Sequence, residues 1–229
     1  MQHDDMHAPF GRFKDRQHAG SLLAQKLHAY AGHRDVIVVA LSRGGVPVGF
    51  ALAKALHVPL DVMVVRKLGA PGHAEYAIGA LASGGQRVLQ DEIIQALHIS
   101  PHMIAAMTKQ EMVIIEAREK AYRAVRHALP LTGRTVILVD DGLATGTTMR
   151  VAIQKVRMSS PARLIVAVPV SARETRNALA PLVDELICLR TPEHFYAVGL
   201  WYEDFAQTSD EEVCNLLRQS QKRPFSPLP

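Results

Sequence analysis

Apolar residues recur along this chain in two rhythms. Short continuous runs rich in β-branched residues fall at 36–41 ("VIVVAL"), 60–65 ("LDVMVV"), 135–140, 162–170 and 183–189, and read as buried strands. Between and around them, apolar positions take helical spacing. Over 15–30 they are Ala19, Leu22, Leu23, Leu27 and Tyr30; further helices are predicted at 46–56, 91–97, 101–129, 146–158 and 172–180. Pro47 sits in the first turn of the helix at 46–56, where its missing N–H costs nothing. A last helix opens at a Ser209/Asp210 cap with acids in its first turn. Residues 66–80 read as a loop, and a hairpin then turns around Gly84 and Gly85. Continuous apolar strands alternating with helices predict an α/β fold: a mostly parallel sheet covered by helices on both faces.

Composition narrows the class without naming a function. The chain has 229 residues, 48% hydrophobic and 21% charged, which suits one α/β domain with additions. Its two cysteines, Cys188 and Cys214, lack metal-type spacing, and a reduced cytoplasmic setting is expected. The start, "MQHDDMHAPF", is too polar and acidic for a signal peptide. The apolar runs are strand-length, far short of the roughly 20 residues of a membrane span, so no membrane partner is expected. A net charge of +4 raises nucleic acid as a partner. The basic residues are spread along the chain with no interleaved aromatics, and a small anionic substrate accounts for the bias equally well. His98 and His102 are separated by Pro101 at a helix start and read as surface residues, not a metal pair.

The chemistry concentrates in "TVILVDDGLATGTTMRVAI", 135–153. A buried strand ends in two adjacent acids, Asp140 and Asp141, and runs through a turn of small residues into a helix. In an open parallel sheet, ligands bind where strands end and helices begin. Gly146 lets backbone approach a ligand, the helix start offers free N–H groups to an anion, and Thr145, Thr147 and Thr148 add hydroxyls. This is a phosphate cradle, although not the Walker type, which needs G-x-x-x-x-G-K-[ST]. Carboxylates accept hydrogen bonds from vicinal hydroxyls, so two acids beside a phosphate cradle point to a ribose 5-phosphate unit. A second loop, Ser42-Arg43-Gly44-Gly45, ends the first strand; glycines there also suit a plain strand-to-helix turn.

"VILVDDGLATGTT" resembles the phosphoribosyl-pyrophosphate motif of type I phosphoribosyltransferases. The likeness runs from about 12 to 217 and is closest to stand-alone bacterial proteins with "DRxxAGxxLA" near the start and "WYxDF" near the end. It implies that Asp140 and Asp141 hold the ribose hydroxyls while Ala144, Thr145, Gly146, Thr147 and Thr148 hold the 5-phosphate. It implies that Ser42, Arg43, Gly44 and Gly45 bind pyrophosphate, commonly around a non-proline cis peptide placed near Ser42–Arg43. Arg66 and Lys67 would face pyrophosphate, and "HAEYAIG", with Glu75, resembles a closing loop of adenine-type enzymes. Mg²⁺ is expected as cofactor, touching Asp140 and Asp141 only through ribose or water. The implied domain is 1–217, with a hood from 8–30 and 191–217 and a frayed tail at 218–229.

The implied reaction transfers phosphoribosyl from phosphoribosyl pyrophosphate to a nitrogenous base or related acceptor, in a homo-oligomer expected to be a dimer. The 6-oxopurine enzymes have an acid where this chain has Ala144, which argues against hypoxanthine or guanine. Yet "TPEHFYAVGLWYEDF" resembles the base pocket of those enzymes, with Phe195 stacking and Glu193 at the base edge. Core packing explains the same aromatics. A regulator of this fold that senses phosphoribosyl pyrophosphate or nucleotides and binds nucleic acid is the alternative.

Overall fold

A computed structural model describes residues 11–221, apart from the side chains of 73–75. Among the described residues, one seven-stranded sheet runs in the order β4-β3-β2-β1-β5-β6-β7. β1 (Val36–Ser42), β2 (Leu60–Ala70), β5 (Thr135–Val139), β6 (Arg163–Val170) and β7 (Glu185–Arg190) are parallel. β3 (His73–Ala82) and β4 (Arg87–Leu89) complete it antiparallel. The central strands β1, β5 and β6 are nearly continuously apolar because helices cover both faces. On one face α2 (Gly45–Leu56), α4 (Pro101–Arg123) and α7 (Asp210–Gln221) enclose a core that includes Leu52, Val62, Ile78, Ile115, Tyr122 and Leu217. On the other, α5 (Thr147–Met158) and α6 (Arg173–Leu179) cover Val39, Met63, Val136, Met149, Ile153 and Leu179. Two shorter helices, α1 (Arg16–Lys26) and α3 (Asp91–Ala96), complete the set; α1 packs on α2.

Three expectations change. Residues 66–80 are not a loop: β2 continues to Ala70 and pairs with β3, with Arg66 opposite Leu81 and Leu68 opposite Gly79. Gly69, Pro71 and Gly72 suggested a break. They instead supply a register shift and a tight turn in which Gly72 has φ +74°. The helix predicted over 101–129 stops at Arg123, because Leu129 is drawn off to donate its N–H to Asp61 Oδ2 at 2.9 Å. The last helix passes the expected 217 boundary and reaches Gln221, with Leu216 and Leu217 buried beneath it; residues 222–229 lie outside the described part.

Segments far apart in the chain meet around Phe13. Phe13 N–H donates to Trp201 O at 2.9 Å, and Glu203 N–H donates to Phe13 O at 2.8 Å. Phe13, Ala19, Val170 and Tyr202 form a third, small buried cluster, with Phe195, Trp201 and Phe205 packed around it. Among the described residues, no helix is long and apolar enough to cross a membrane.

Candidate active site

The sheet order sets the location. From β1 the chain steps one way to β2 and the other way to β5, so the crevice beyond the carboxyl ends of β1 and β5 is a topological switch point. Ser42–Gly45 leave β1 there, and Asp140–Thr148 leave β5. The two loops are in direct contact. A Cβ on Gly44 would lie 2.1 Å from Asp141 Oδ2, and one on Gly45 would lie 2.7 Å from Val139 O and 3.2 Å from Asp140 Oδ1. Only glycine lets these backbones approach so closely. The Ser42–Arg43 peptide is cis, at the position expected. The buried Ser42 Oγ has no hydrogen-bond partner among the described residues. Arg43 points its guanidinium away, 3.8 Å from Asp210 Oδ2 at the start of α7.

The acid pair is strained electrostatically. Asp140 Oδ1 accepts the Asp141 N–H at 2.9 Å. Burial, then the neighbouring Asp141 carboxylate, pushes the Asp140 carboxyl well above the usual carboxylate range. Burial also raises Asp141, opposed by the guanidinium of Arg16, whose Nε donates to Asp141 Oδ2 at 2.8 Å. Tyr202 donates its hydroxyl to the Asp141 carbonyl at 2.6 Å.

The turn after the acids leads into an uncapped helix start, the arrangement expected of an anion cradle. Gly146 takes φ +72° at the start of α5, where no side chain caps the helix, so the first N–H groups are left for an incoming anion. Ala144 and Thr145 are exposed, while Gly146 and Thr147 are buried and Thr148 is half-buried. The Thr145 and Thr147 hydroxyls are 3.1 Å apart. Gln90 Nε2 donates to Thr147 Oγ1 at 3.0 Å and to Ala77 O at 3.1 Å, joining the cradle to β3. Thr175 donates to the Ala144 carbonyl, which fixes the turn against α6.

The remaining candidates are less concentrated. Arg66 lies one strand over on β2, two residues past Val64, the partner of Ser42, and is ion-paired to Glu111 of α4. Lys67 is exposed on the same strand. Glu75 lies on β3, its side chain outside the described residues. Glu193 is exposed, and Phe195 is half-buried against the Phe13–Tyr202 cluster, so core packing accounts for much of it. Arg16 and Tyr202 fall within the quoted "DRxxAGxxLA" and "WYxDF" stretches but were given no role there, and Gln90 was not singled out. Arg16 stands 125 positions from Asp141, and no local spacing could pair them.

Residues 14–199 match the phosphoribosyl transferase domain family. Two Mycobacterium tuberculosis proteins, MT0597 and Rv0571c, each named as a candidate phosphoribosyl transferase, are 41% identical over 92% of this chain. The chain belongs to the phosphoribosyl transferase family. It spans 47% of the length of those two relatives. The crystal structure of TT1426 from Thermus thermophilus, 39% identical, superposes with a TM-score of 0.75 over 91% of this chain and 98% of that one. A hypothetical protein from Neisseria gonorrhoeae, 13% identical with a TM-score of 0.50 over 93% of this chain and 97% of that one, shares the fold. The phosphoribosyl transferase fold thus frames the crevice between β1 and β5.

Proposed function

We propose that this protein transfers a 5-phosphoribosyl group from phosphoribosyl pyrophosphate to a nitrogen of a base or related acceptor, releasing pyrophosphate. The observation that carries the reading is the fit of Gly44 and Gly45 against Asp141 and Asp140, which makes one site of two loops that family resemblance marks separately. Asp140 and Asp141 hold the ribose hydroxyls, the 144–148 turn and the start of α5 take the 5-phosphate, and residues 42–45 take the pyrophosphate. Segments 11–30 and 191–217 act as the hood, supported by the contacts of Arg16 and Tyr202 with Asp141.

The C1–oxygen bond to pyrophosphate breaks with its electron pair leaving on pyrophosphate, and the acceptor nitrogen forms the new bond to C1. The protein's part is position and field: buried amides and fixed hydroxyls need no reorganisation as charge moves to the leaving group. The β2–β3 arm, tied to the cradle through Gln90, is placed to close over the site and exclude water. Mg²⁺ fits these donors only as a ligand-borne ion. Among the described residues no group of three or more His, Cys, Asp or Glu could hold a metal, and Mg²⁺ characteristically keeps waters and substrate phosphates. Asp140 and Asp141 would meet it through ribose or water, and when bound it would supply positive charge to the departing pyrophosphate.

The test is thermal melting with phosphoribosyl pyrophosphate and Mg²⁺, followed by a nucleobase panel read for nucleotide formation. Ligand at about 100 times its dissociation constant stabilises by about 2.7 kcal/mol. No shift at millimolar ligand would sink the sugar-phosphate reading. A shift without any nucleotide would favour a sensor over an enzyme.

A further inference from the structure

Two segments far apart in the chain, around Arg16 and around Tyr202–Ala206, converge on Asp141. Arg16 opens α1, capped by Asp15, whose Oδ1 accepts the His18 N–H at 2.7 Å. The Arg16 guanidinium then makes three contacts at once. Nε donates to Asp141 Oδ2 at 2.8 Å, Nη1 donates to Ala206 O at 2.7 Å, and the group lies 3.9 Å from the centre of the Phe205 ring. Phe205 in turn packs on Tyr202, with ring centres 5.0 Å apart, and Tyr202 holds the Asp141 carbonyl. The Arg16 and Asp141 side chains are 11% and 15% exposed, so this is not a screened surface pair of little consequence.

The arrangement closes one side of Asp141. A carboxylate has about four acceptor directions over its two oxygens. Arg16 takes one on Oδ2, and the Gly44 backbone sits against that same oxygen, so neither of them occupies Oδ1. A planar fork held by a carbonyl and an aromatic ring fixes direction as a lysine could not. We propose that Arg16 is a positioning residue, locking Asp141 by Oδ2 so that Oδ1 accepts a sugar hydroxyl, and thereby sets the preference for an intact ribose diol over a deoxy sugar. This rests on the sugar-phosphate reading above and adds a specificity determinant supplied by α1 and the 202–206 segment.

The experiment is calorimetry with ribose 5-phosphate, its 2-deoxy and 3-deoxy analogues, and inorganic phosphate. The proteins are wild type, Arg16→Met, Arg16→Lys, Phe205→Leu, Asp141→Asn and the Arg16→Met/Asp141→Asn double variant, each checked by circular dichroism. Wild type should prefer ribose 5-phosphate over at least one deoxy analogue by about tenfold or more, the scale of one hydrogen bond to a charged group. Arg16→Met and Arg16→Lys should bring that ratio towards unity, Phe205→Leu should lower it in part, and phosphate affinity should stay within about twofold of wild type. The double variant should lose no more than Asp141→Asn alone, because both changes remove the same interaction. If Arg16→Met fails to fold, Arg16→Lys and Phe205→Leu carry the same comparison. Arg16 variants that keep the wild-type diol preference, or losses that simply add, overturn the positioning role while the sugar-phosphate reading stands. A wild type that binds no sugar phosphate overturns both.

Discussion

Asp140 has a carboxyl that the folded protein prefers neutral, because burial and Asp141 both disfavour its charge. An acid whose folded pKa is raised binds more protons folded than unfolded, so its stability contribution falls as pH rises above the unfolded value of about 3.9. At pH 7 the ligand-free protein therefore carries an unrelieved cost, which, on the proposed function, a ribose diol would relieve by hydrogen bonding. Asp140→Asn keeps an oxygen for the Asp141 N–H and removes the charge. It should raise the melting temperature of the ligand-free protein at pH 7, each kcal/mol gained being worth about 2–4 °C, and weaken ribose 5-phosphate. A scan at pH 7 and at pH 5 checks the sign: the gain should shrink at the lower pH. Thr145 should fail in the opposite way. Its side chain is exposed, and its hydroxyl lies 3.1 Å from that of Thr147, which accepts from Gln90. Thr145→Val should weaken ribose 5-phosphate by about 10- to 150-fold, measured by calorimetry, with free pyrophosphate nearly unchanged and stability near wild type.

At the scale of elements, neighbouring glycines separate function from fold. Gly44 has φ −58°, which alanine accepts, but its Cβ would strike the Asp141 side chain. Gly45 faces the Val139 carbonyl and Asp140 Cα, backbone that cannot swing aside. Gly44→Ala should therefore weaken phosphoribosyl pyrophosphate by about tenfold or more at near-normal stability, whereas Gly45→Ala should cost about 1–3 kcal/mol in urea unfolding. The same contrast explains what the sequence could reveal. β1, β5 and β6 were legible because residues such as Val38, Ile137 and Val166 are fully buried from both sides, and that leaves uninterrupted apolar runs. The acid pair and the glycine turn were legible because their chemistry is local. The β2–β3 arm was not, because Gly69, Pro71 and Gly72 break a pattern equally well in a loop or in a bulged hairpin. Arg16 stood in the "DRxxAGxxLA" stretch without a role, because an arginine in a first helical turn reads as solvated until the fold brings Asp141 to it.

Across the whole molecule, α4, β2 and the approach to β5 are tied together by a charge that local reading treats as an interruption. Asp61 breaks the apolar run of β2 yet is only 4% exposed. Its Oδ1 accepts Arg123 Nη1 at 2.6 Å and the Val62 N–H at 2.7 Å, while Oδ2 accepts the Leu129 N–H at 2.9 Å. Arg123 also donates to the Val62 carbonyl at 2.8 Å and to Glu119 at 2.8 Å. One carboxylate thus ends α4, turns the chain towards β5 and seals the start of β2. Burial alone would lower the Arg123 pKa, but Asp61 and then Glu119 overcome it, so the guanidinium stays charged. Asp61→Ala would leave that cation half-buried beside an unpaired Leu129 N–H. Breaking a buried pair in this way costs about 3–5 kcal/mol, with the remaining Glu119 contact placing this case at the lower end. Removing both partners in Asp61→Ala/Arg123→Met should recover part of the loss, because the uncompensated cation is gone. Urea unfolding of wild type, the single and the double variant reads this directly. Ribose 5-phosphate affinity, measured well below the transition, should stay close to wild type, since neither residue contacts the 42–45 or 140–148 loops. A single variant as stable as wild type would mean that water, rather than Arg123, satisfies Asp61.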